Sequence, residues 1–404
     1  MVEISTAALS SIKSLNILHM SKDIKLGFWN YAPFGVIKNK EVVKDWLEVG
    51  SNLPMSFVFD YKTTDKKEML ELLDECQKHS LKLIVSDTRT LFTNLRSMNK
   101  EQYRKLVQEA YDDFGHHPAT FGFYVGDEPS PEETDLFIDA MNIVIEESHG
   151  LVPFGNLLPY FGCIDVEVTP ERDAKYRAIV EKILKETKVS VIGYDQYSQL
   201  HDEYCDQELG ISRYYHGLEC YYEITKKYNV PLYMSLLSIG HWNYRVPNED
   251  DIRWQIYTSL AHGVRGIIWF YFYQTNHDYS YRGGPYTNFE MKKTEMFEII
   301  KRQQYLFKVG YEEQFNKMEL EYVYHFTYGK DKVDERLKDI YVDRPYPVIV
   351  SYYKEFNSDK KWVSFVNGSQ KLANKIDVTF KNGVKEAFWL APGEMRLFDL
   401  SEYE

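Results

Sequence analysis

The feature that most constrains the fold of this chain is a regular alternation of short apolar segments with longer amphipathic ones. The apolar segments are rich in β-branched and aromatic residues, which is typical of buried strands. Eight successive strand–helix units favour a closed (β/α)8 barrel, and no G-x-G-x-x-G follows the first strand, as an open dinucleotide-binding sheet would require. The predicted strands are Leu26–Phe34, Pro54–Asp60, Leu81–Asp87, Thr120–Val125, Pro153–Leu158, Val189–Tyr194, Pro231–Ser238 and Gly266–Phe272.

Amphipathic helices are predicted between these strands. In Asp65–His79, for example, Met69, Leu72, Leu73 and Cys76 share one apolar face at helical spacing. The other predicted helices are Lys100–Phe114, Glu132–Glu147, Pro170–Lys188, Gly217–Tyr228, Asp250–His262 and Glu290–Phe307.

The character of the sequence changes near residue 312 to short strands with alternating apolar residues, which predicts a small all-β sandwich. A length of 404 residues suits a barrel of about 250 residues or more with one small module. We therefore expect an N-terminal extension at 1–24, a barrel at 25–312 and a β-sandwich at 313–404. The predicted sandwich strands are Glu319–Phe326, Val348–Tyr353, Trp362–Asn367, Ile376–Thr379 and Glu386–Leu390, with a closing segment at Pro392–Phe398.

The composition limits the partners of the chain. A formal net charge of −13 disfavours nucleic acid and anionic membranes, which attract concentrated basic surfaces. The apolar run Gly263–Tyr273 is too short to span a bilayer. Residues Met1 to Met20 show no secretion signal, although a chain from which a signal had been removed would look the same. We expect no nucleic acid and no membrane as partner, while the localisation and the oligomeric state stay open.

Several catalytic chemistries lack their sequence signals. The cysteines, Cys76, Cys163, Cys205 and Cys220, form no C-x-x-C pair, and the 11 histidines form no H-x-H pair. There is no G-x-S-x-G motif and no glycine-rich phosphate loop. The sequence therefore predicts buried thiols, no catalytic metal and no cofactor.

Carboxylates follow two of the predicted strands at the end where a barrel carries its active site. Glu128 stands in Gly126–Pro129, directly after the fourth strand, and Asp195 follows the sixth. Two carboxyl groups are what glycosidic bond cleavage generally needs. Glu128 is our candidate general acid; Asp127 could instead cap a helix, and Asp195 could form an Asx-turn.

Polar and aromatic residues at the other strand ends are candidate sugar ligands, although most aromatic rings of a protein pack its core. Asp87 could alternatively form a structural ion pair with Arg89. The candidates for substrate binding are Trp29, Asp60, Asp87, Asn156, Tyr197, His241, Trp242, Trp269 and Tyr271.

Taken together, seven stretches of the chain resemble the clan A glycoside hydrolases, and distantly the family 42 β-galactosidases, over about residues 25 to 400. The stretches are Gly122–Pro129 (GFYVGDEP), Gly155–Pro159 (GNLLP), Val191–Tyr197 (VIGYDQY), Ser238–Pro247 (SIGHWNYRVP), Arg253–Tyr257 (RWQIY), Gly263–Tyr271 (GVRGIIWFY) and Ala391–Phe398 (APGEMRLF).

The resemblance implies a glycoside hydrolase acting on a carbohydrate. It puts the acid/base role on Glu128, with Asp127 where the clan usually has Asn. The clan's nucleophile is a second glutamate at the end of strand seven, but Tyr233–Ser238 contains no carboxylate.

Three hypotheses follow from this departure. In the first, which the strand-end position of Asp195 favours, Asp195 is the carboxylate partner of Glu128, either as the missing nucleophile or as the general base. In the second, Asp127 and Glu128 act as in substrate-assisted hexosaminidases, where an acetamido group of the sugar attacks. In the third, the barrel has lost catalysis and only binds sugar.

Overall fold

The structure is a computed structural model, and it describes residues 23–159, 169–203, 207–275, 280–287, 290–326, 337, 340–343 and 347–404. Nearly all of the predicted N-terminal extension lies outside these residues, as do Cys163 and Cys205. Cys76 and Cys220 are free and buried, as predicted.

A parallel sheet of seven strands, in the order β1-β7-β6-β5-β4-β3-β2, forms the wall of the barrel. Because β1 pairs with β7, the last strand of the barrel lies beside the first. Each strand overlaps a predicted one. The strands are β1 (Lys25–Phe28), β2 (Leu83–Val85), β3 (Thr120–Asp127), β4 (Val152–Leu157), β5 (Ile192–Asp195), β6 (Leu232–Leu237) and β7 (Gly266–Phe270).

The predicted second strand, Pro54–Asp60, does not form a regular strand. The segment lies between β1 and β2 and pairs with its neighbours only through isolated bridges. Met55 pairs with Ile84 on the β2 side, and Leu53 donates its backbone N–H to the carbonyl of Leu26 in β1 at 3.0 Å. The eight-unit (β/α)8 barrel predicted from the sequence is thus confirmed, with an irregular second position.

Helices surround the sheet, and side-chain caps start several of them. Asp65 accepts a hydrogen bond from the backbone of Lys67, and Asn99 and Asn248 each form a capping box. The first helix, α1 (Asn39–Glu48), was not predicted, although Val42, Val43 and Trp46 give it a buried face. The helices are α1 (Asn39–Glu48), α2 (Lys66–Lys78), α3 (Lys100–Ala110), α4 (Thr134–Glu147), α5 (Pro170–Glu186), α6 (Gln207–Tyr228), α7 (Glu249–Ala261), α8 (Glu295–Gly310) and the short α9 (Glu312–Phe315). None of the helices in the described part of the chain is long and apolar enough to cross a membrane.

Two apolar cores lie on opposite faces of the barrel sheet. The smaller one includes Trp29, Tyr124, Phe154 and Tyr271 and packs inside the barrel. The larger one lies between the strands and the helices, where alternate residues of the same strands point outward. A strand residue therefore reaches the mouth of the barrel only if it belongs to the inner set.

The C-terminal part is the predicted β-sandwich. A four-stranded antiparallel sheet, β14-β11-β10-β8, faces a three-stranded one, β13-β12-β9, around a core that includes Val350, Phe365 and Val378. The first strand of the three-stranded sheet in chain order, β9, was not predicted. The strands are β8 (Met318–Phe326), β9 (Ile340–Asp343), β10 (Val348–Glu355), β11 (Lys361–Asn367), β12 (Asn374–Phe380), β13 (Lys385–Leu390) and β14 (Met395–Asp399).

The sandwich packs tightly on α7 of the barrel. The indole N–H of Trp254 donates to the carbonyl of Gly368 at 3.0 Å, and a Cβ at Gly393 would lie 2.1 Å from the Cα of Trp254. The division at residue 312 stays a prediction; α8 ends at Gly310 and the first sandwich strand begins at Met318.

Candidate active site

The three candidate catalytic carboxylates meet at the carboxyl end of the barrel, around the side chain of Asn156. Its Nδ2 donates to Oδ1 of Asp127 at 3.0 Å and to Oδ1 of Asp195 at 2.7 Å. The carboxyl groups of Glu128 and Asp195 are in hydrogen-bonding contact with each other. The strands β3, β4 and β5 thus bring together four of the predicted site residues, which form what we call the carboxylate group: Asp127, Glu128 and Asp195 held by Asn156.

A local irregularity of β3 directs Glu128 into the mouth. The pairing of β3 with β4 shifts register between Tyr124 and Gly126, and such bulges redirect a strand beside an active site. Glu128 has a φ of +45°, in the left-handed region, while its backbone N–H donates to the carbonyl of Asn156 at 2.9 Å. Gly126 has a φ of +153°, and a Cβ there would lie 2.3 Å from the ring of Phe92. Only glycine fits this position without moving that ring.

The pKa values of all three carboxyls, those of Asp127, Glu128 and Asp195, are raised. Asp127 and Glu128 are reached by solvent from the mouth, whereas Asp195 is only 6% exposed. Desolvation, followed by the charge of Asp127, raises the pKa of Glu128 to about 7, against the hydrogen bond with Asp195, which lowers it. Burial, with the charges of Glu128 and Asp127, raises the pKa of Asp195 well above its ordinary range. Partial desolvation also raises the pKa of Asp127, against the hydrogen bonds from Asn156 and Tyr31.

Below the carboxylate group, a chain of buried hydrogen bonds fixes Asn156. Trp29 donates its indole N–H to Oγ of Ser235 at 2.8 Å, and Ser235 donates in turn to Oδ1 of Asn156 at 3.1 Å. This fixes which end of the Asn156 amide carries its donors, so that the NH2 group faces the two aspartates. Trp29 is 1% exposed and supports the floor of the site rather than offering a face to a sugar.

An aromatic wall stands beside the carboxylate group, and it consists of Tyr197, His241, Trp242, Phe270 and Tyr281. Tyr197 lies between the two groups: its ring centre is 5.8 Å from that of Phe270, and burial, followed by the charges of Asp195 and the adjacent carboxylates, raises the pKa of its hydroxyl. The imidazole of His241 stacks on Tyr281 at 5.4 Å, and burial lowers its pKa to about 4, so the ring is neutral near neutral pH. Trp242 is 66% exposed.

Three of the predicted sugar ligands are not brought to this site. Trp269 belongs to the outer core and donates its indole N–H to Gln304 of α8 at 3.1 Å. The fully buried carboxylate of Asp87 forms an ion pair with Arg89 at 2.8 Å, which is the structural alternative considered above. Asp60 forms an Asx-turn, accepting a bond from the backbone of Lys62 at 3.0 Å.

Two residues that donate hydrogen bonds to the carboxylate group, Tyr31 and Ser235, were not among the predicted ligands. Tyr31 donates its hydroxyl to Oδ2 of Asp127 at 3.3 Å, and its ring lies 5.8 Å from that of Tyr271. Ser235 pairs in register with Asp195 and is part of β6. This is the predicted seventh strand, on which the clan A glycoside hydrolases carry their second glutamate. The positions of Tyr31 and Ser235 at strand ends were the available signal, but neither has a carboxylate or an indole to draw attention to it.

The sequence matches no protein-family model and no curated protein sequence. Solved structures do match. A β-galactosidase from the psychrophilic Marinomonas ef1 aligns with 72% of this chain and 62% of its own, with a TM-score of 0.53 and 12% identity. A putative α-L-fucosidase from Bacteroides thetaiotaomicron VPI-5482 aligns with 71% of this chain and 94% of its own, with a TM-score of 0.52 and 12% identity.

A β-galactosidase from Bacillus circulans sp. alkalophilus aligns with 71% of this chain and 56% of its own, with a TM-score of 0.51 and 9% identity. The chain thus spans less than two thirds of the length of either β-galactosidase. At these identities the likeness concerns the fold, and it confirms a barrel fold like that of these glycosidase structures, as the sequence predicted.

Proposed function

We propose that the chain is a glycoside hydrolase in which Glu128 is the general acid. The observation that supports this most directly is a solvent-accessible carboxyl at the mouth of the barrel whose pKa is raised to about 7. Such a group still holds its proton near neutral pH and can give it to the leaving oxygen of a glycoside. The likeness in fold to glycosidase barrels agrees with this class of reaction, although fold alone does not assign it.

The contact between Glu128 and Asp195 argues against Asp195 as the nucleophile. Retaining glycosidases place their two carboxyls about 5–5.5 Å apart and inverting ones about 6.5–9.5 Å apart, so that a sugar carbon, or a water as well, fits between them. Carboxyls in hydrogen-bonding contact leave no such space. Asp195 is also buried and bonded to Asn156. Its proposed role is to position Glu128 and keep a proton in the pair.

Asp127 fits the role of a group that orients the substrate. It is exposed beside Glu128, and Tyr31 and Asn156 each donate to one of its oxygens. In a substrate-assisted reaction, a carboxylate in this place accepts the N–H of a 2-acetamido group. The acetamido carbonyl oxygen then bonds to the anomeric carbon as the glycosidic bond breaks. The proposed substrates are therefore glycosides of 2-acetamido-2-deoxy sugars.

The protons and bonds balance in two steps. Glu128 gives its proton to the departing glycosidic oxygen while the acetamido oxygen closes a cyclic oxazolinium ion. Glu128, now ionised, takes a proton from water as the water oxygen bonds to the anomeric carbon and the acetamido oxygen leaves. The configuration at the anomeric carbon is retained, and no protein nucleophile is required.

The acid role is tested with Glu128→Gln on paired aryl and alkyl glycosides of N-acetylhexosamines. We expect kcat/KM on the alkyl glycosides, which have poor leaving groups, to fall by roughly 10²–10⁴ and to fall less on activated aryl glycosides. Glu132→Gln is the matched control, since Glu132 is an exposed glutamate in the following turn. Full turnover of the alkyl glycosides by Glu128→Gln would show that the acid is elsewhere.

Two further variants separate the partner roles. If the substrate assists, Asp127→Asn loses turnover of acetamido sugars, while Asp195→Asn keeps a measurable rate because an amide can still donate to Glu128. A thiazoline analogue of the oxazolinium ion should then inhibit the wild type. Rescue of Asp195→Ala by azide, with glycosyl azide as product, would instead identify Asp195 as the nucleophile.

A sugar-binding barrel without catalysis is the second candidate, and the exposed Trp242 of the aromatic wall favours it. A screen of glycosides and host or plant glycans decides between the two. Binding that depends on Trp242, with no sugar released from any of them, would support this candidate over hydrolysis.

A further inference from the structure

Away from the carboxylate group, two histidines and a glutamate converge where the sandwich packs against the barrel. Glu219 is part of α6, His262 follows the last residue of α7, and His325 lies in β8 of the sandwich. One ligand atom from each lies within 4.8 Å of the others, and the described part of the chain contains no other such group of three. His262 stands at a helix-to-strand join, so this group is at the end of the barrel opposite the mouth.

Hydrogen bonds orient the imidazoles toward one another. Nδ1 of His262 lies 2.6 Å from the carbonyl oxygen of Thr258, which can only accept, so Nδ1 carries the proton and Nε2 presents a lone pair. That lone pair faces Nε2 of His325 at 2.7 Å. A backbone carbonyl that fixes the tautomer of a histidine in this way is the usual outer support of a metal ligand.

Nε2 of His325 faces two acceptors at once. It lies 2.7 Å from Nε2 of His262 and 3.4 Å from Oε1 of Glu219. A neutral imidazole has at most one proton on this nitrogen, so it cannot donate fully to both partners. A cation between the three atoms would accept a lone pair from each of them. The geometry therefore suits a positive ion better than a single shared proton.

We propose that Glu219, His262 and His325 form a binding site for a divalent transition-metal ion, with Zn²⁺ as the first candidate, that joins the barrel to the sandwich. Two imidazole nitrogens and one carboxylate oxygen are a donor set that suits Zn²⁺ rather than Mg²⁺ or Ca²⁺. The Glu219 side chain is 43% exposed and the His262 side chain is buried, which leaves the Glu219 side open for a water as fourth ligand.

The required adjustment is limited, because the three ligand atoms already lie within 4.8 Å of one another. Metal–ligand bonds of about 2.0–2.2 Å in a tetrahedral arrangement separate the ligand atoms by about 3.3–3.5 Å. The distance of 3.4 Å between His325 and Glu219 already agrees with this, and the two Nε2 atoms, now 2.7 Å apart, must separate slightly. The ring of Tyr215 covers one side of the site. Its centre lies 5.7 Å from the centre of the His262 ring and 4.7 Å from that of the His325 ring.

The test uses the full chain, freed of metal with a chelator, and measures Zn²⁺ binding by calorimetry and thermal unfolding. We expect one Zn²⁺ per chain and a rise in Tm on binding, because the ion ties two parts of the native state together. Co²⁺ in place of Zn²⁺ should give the intense visible absorption of a tetrahedral site.

Glu219→Gln and His325→Gln should each weaken Zn²⁺ binding by at least about 10-fold. Glu223→Gln is the control, since Glu223 lies one turn further along α6 and pairs with Arg177 instead. Glu219→Gln removes a half-exposed charge and tests the site even if His325→Gln folds poorly. Failure of the wild type to bind one Zn²⁺, or binding that Glu219→Gln leaves as tight as Glu223→Gln does, would overturn the proposal.

Discussion

The carboxyl of Glu128, at the end of β3, is in hydrogen-bonding contact with the carboxyl of Asp195, at the end of β5. Two carboxylates this close cannot both be ionised without strong repulsion, so the pair keeps a proton to higher pH than either group would alone. Asn156, on the strand between them, donates to Asp195 and to the neighbouring Asp127. The protonation state of Glu128 therefore depends on its position beside Asp195.

The first prediction concerns the pH dependence of activity. Glu128 must be protonated to act as an acid, and because its pKa is about 7, kcat/KM should fall as the pH rises through about 7. The charge of Asp127 contributes to this raised pKa. Asp127→Asn should therefore move the alkaline limb of the residual activity to lower pH. The measurement is the pH profile of kcat/KM for both proteins, and an unmoved limb would contradict the assignment.

The second prediction concerns the pH dependence of stability. Glu128 has a pKa of about 7 in the folded protein against an ordinary value of 4.5, so between these values the folded state binds more protons than the unfolded state. The free energy of unfolding contributed by this group must then fall as the pH rises through that window. Glu128→Gln removes the ionisation and should flatten the curve. Urea unfolding of both proteins at about pH 5 and about pH 8 measures the difference; parallel changes with pH would argue against the raised pKa.

Much of the architecture could be predicted from the sequence because burial imposes a period on it. The alternation that predicted the eight units locates β3, β5 and β6 within a few residues. It failed to show that Pro54–Asp60 joins its neighbours only through isolated bridges, because a ladder depends on the path of both partners and not on one apolar run.

The site was predictable in outline for the same reason. Strand ends of a parallel barrel converge, so Glu128 and Asp195 could be placed in one mouth from their positions alone. It is harder to predict which face of the sheet a strand residue points to. Trp269 is at a strand end, but its side chain points outward to α8. Direct contact between two carboxyls depends on side-chain rotamers. The site of Glu219, His262 and His325 joins residues from three elements without a local motif.

The third prediction concerns Asn156, whose amide is shared by two carboxylates. Asn156→Ala removes the donor to Asp127 and Asp195 and leaves the buried hydroxyl of Ser235 without this acceptor. We expect a loss of about 1–3 kcal/mol in the free energy of unfolding and a lower kcat, since the pKa values of both aspartates should rise further. Asn142→Ala is the control, because it removes only an exposed hydrogen bond, which Nδ2 of Asn142 donates to the backbone carbonyl of Glu186. Equal effects of the two variants on stability and kcat would show that Asn156 does not organise the site.

The fourth prediction separates a steric requirement from a conformational one at Gly126. Both Gly126 and Gly150 have positive φ values, +153° and +90°, so alanine is strained at either position. A Cβ at Gly126 would lie 2.3 Å from the ring of Phe92, however, whereas one at Gly150 would have no neighbour within 4 Å.

Gly126→Ala should accordingly be less stable than Gly150→Ala by about 1–3 kcal/mol, the usual cost of forcing extra volume into a packed region. It should also lower kcat, because relief of the collision with Phe92 moves the turn that carries Glu128. Gly150 lies after α4, away from the mouth, so Gly150→Ala should lose stability with kcat unchanged. Chemical unfolding and kcat of the two variants are the measurements. If Gly126→Ala is as stable and as active as Gly150→Ala, then the glycine is not what holds Glu128 in place.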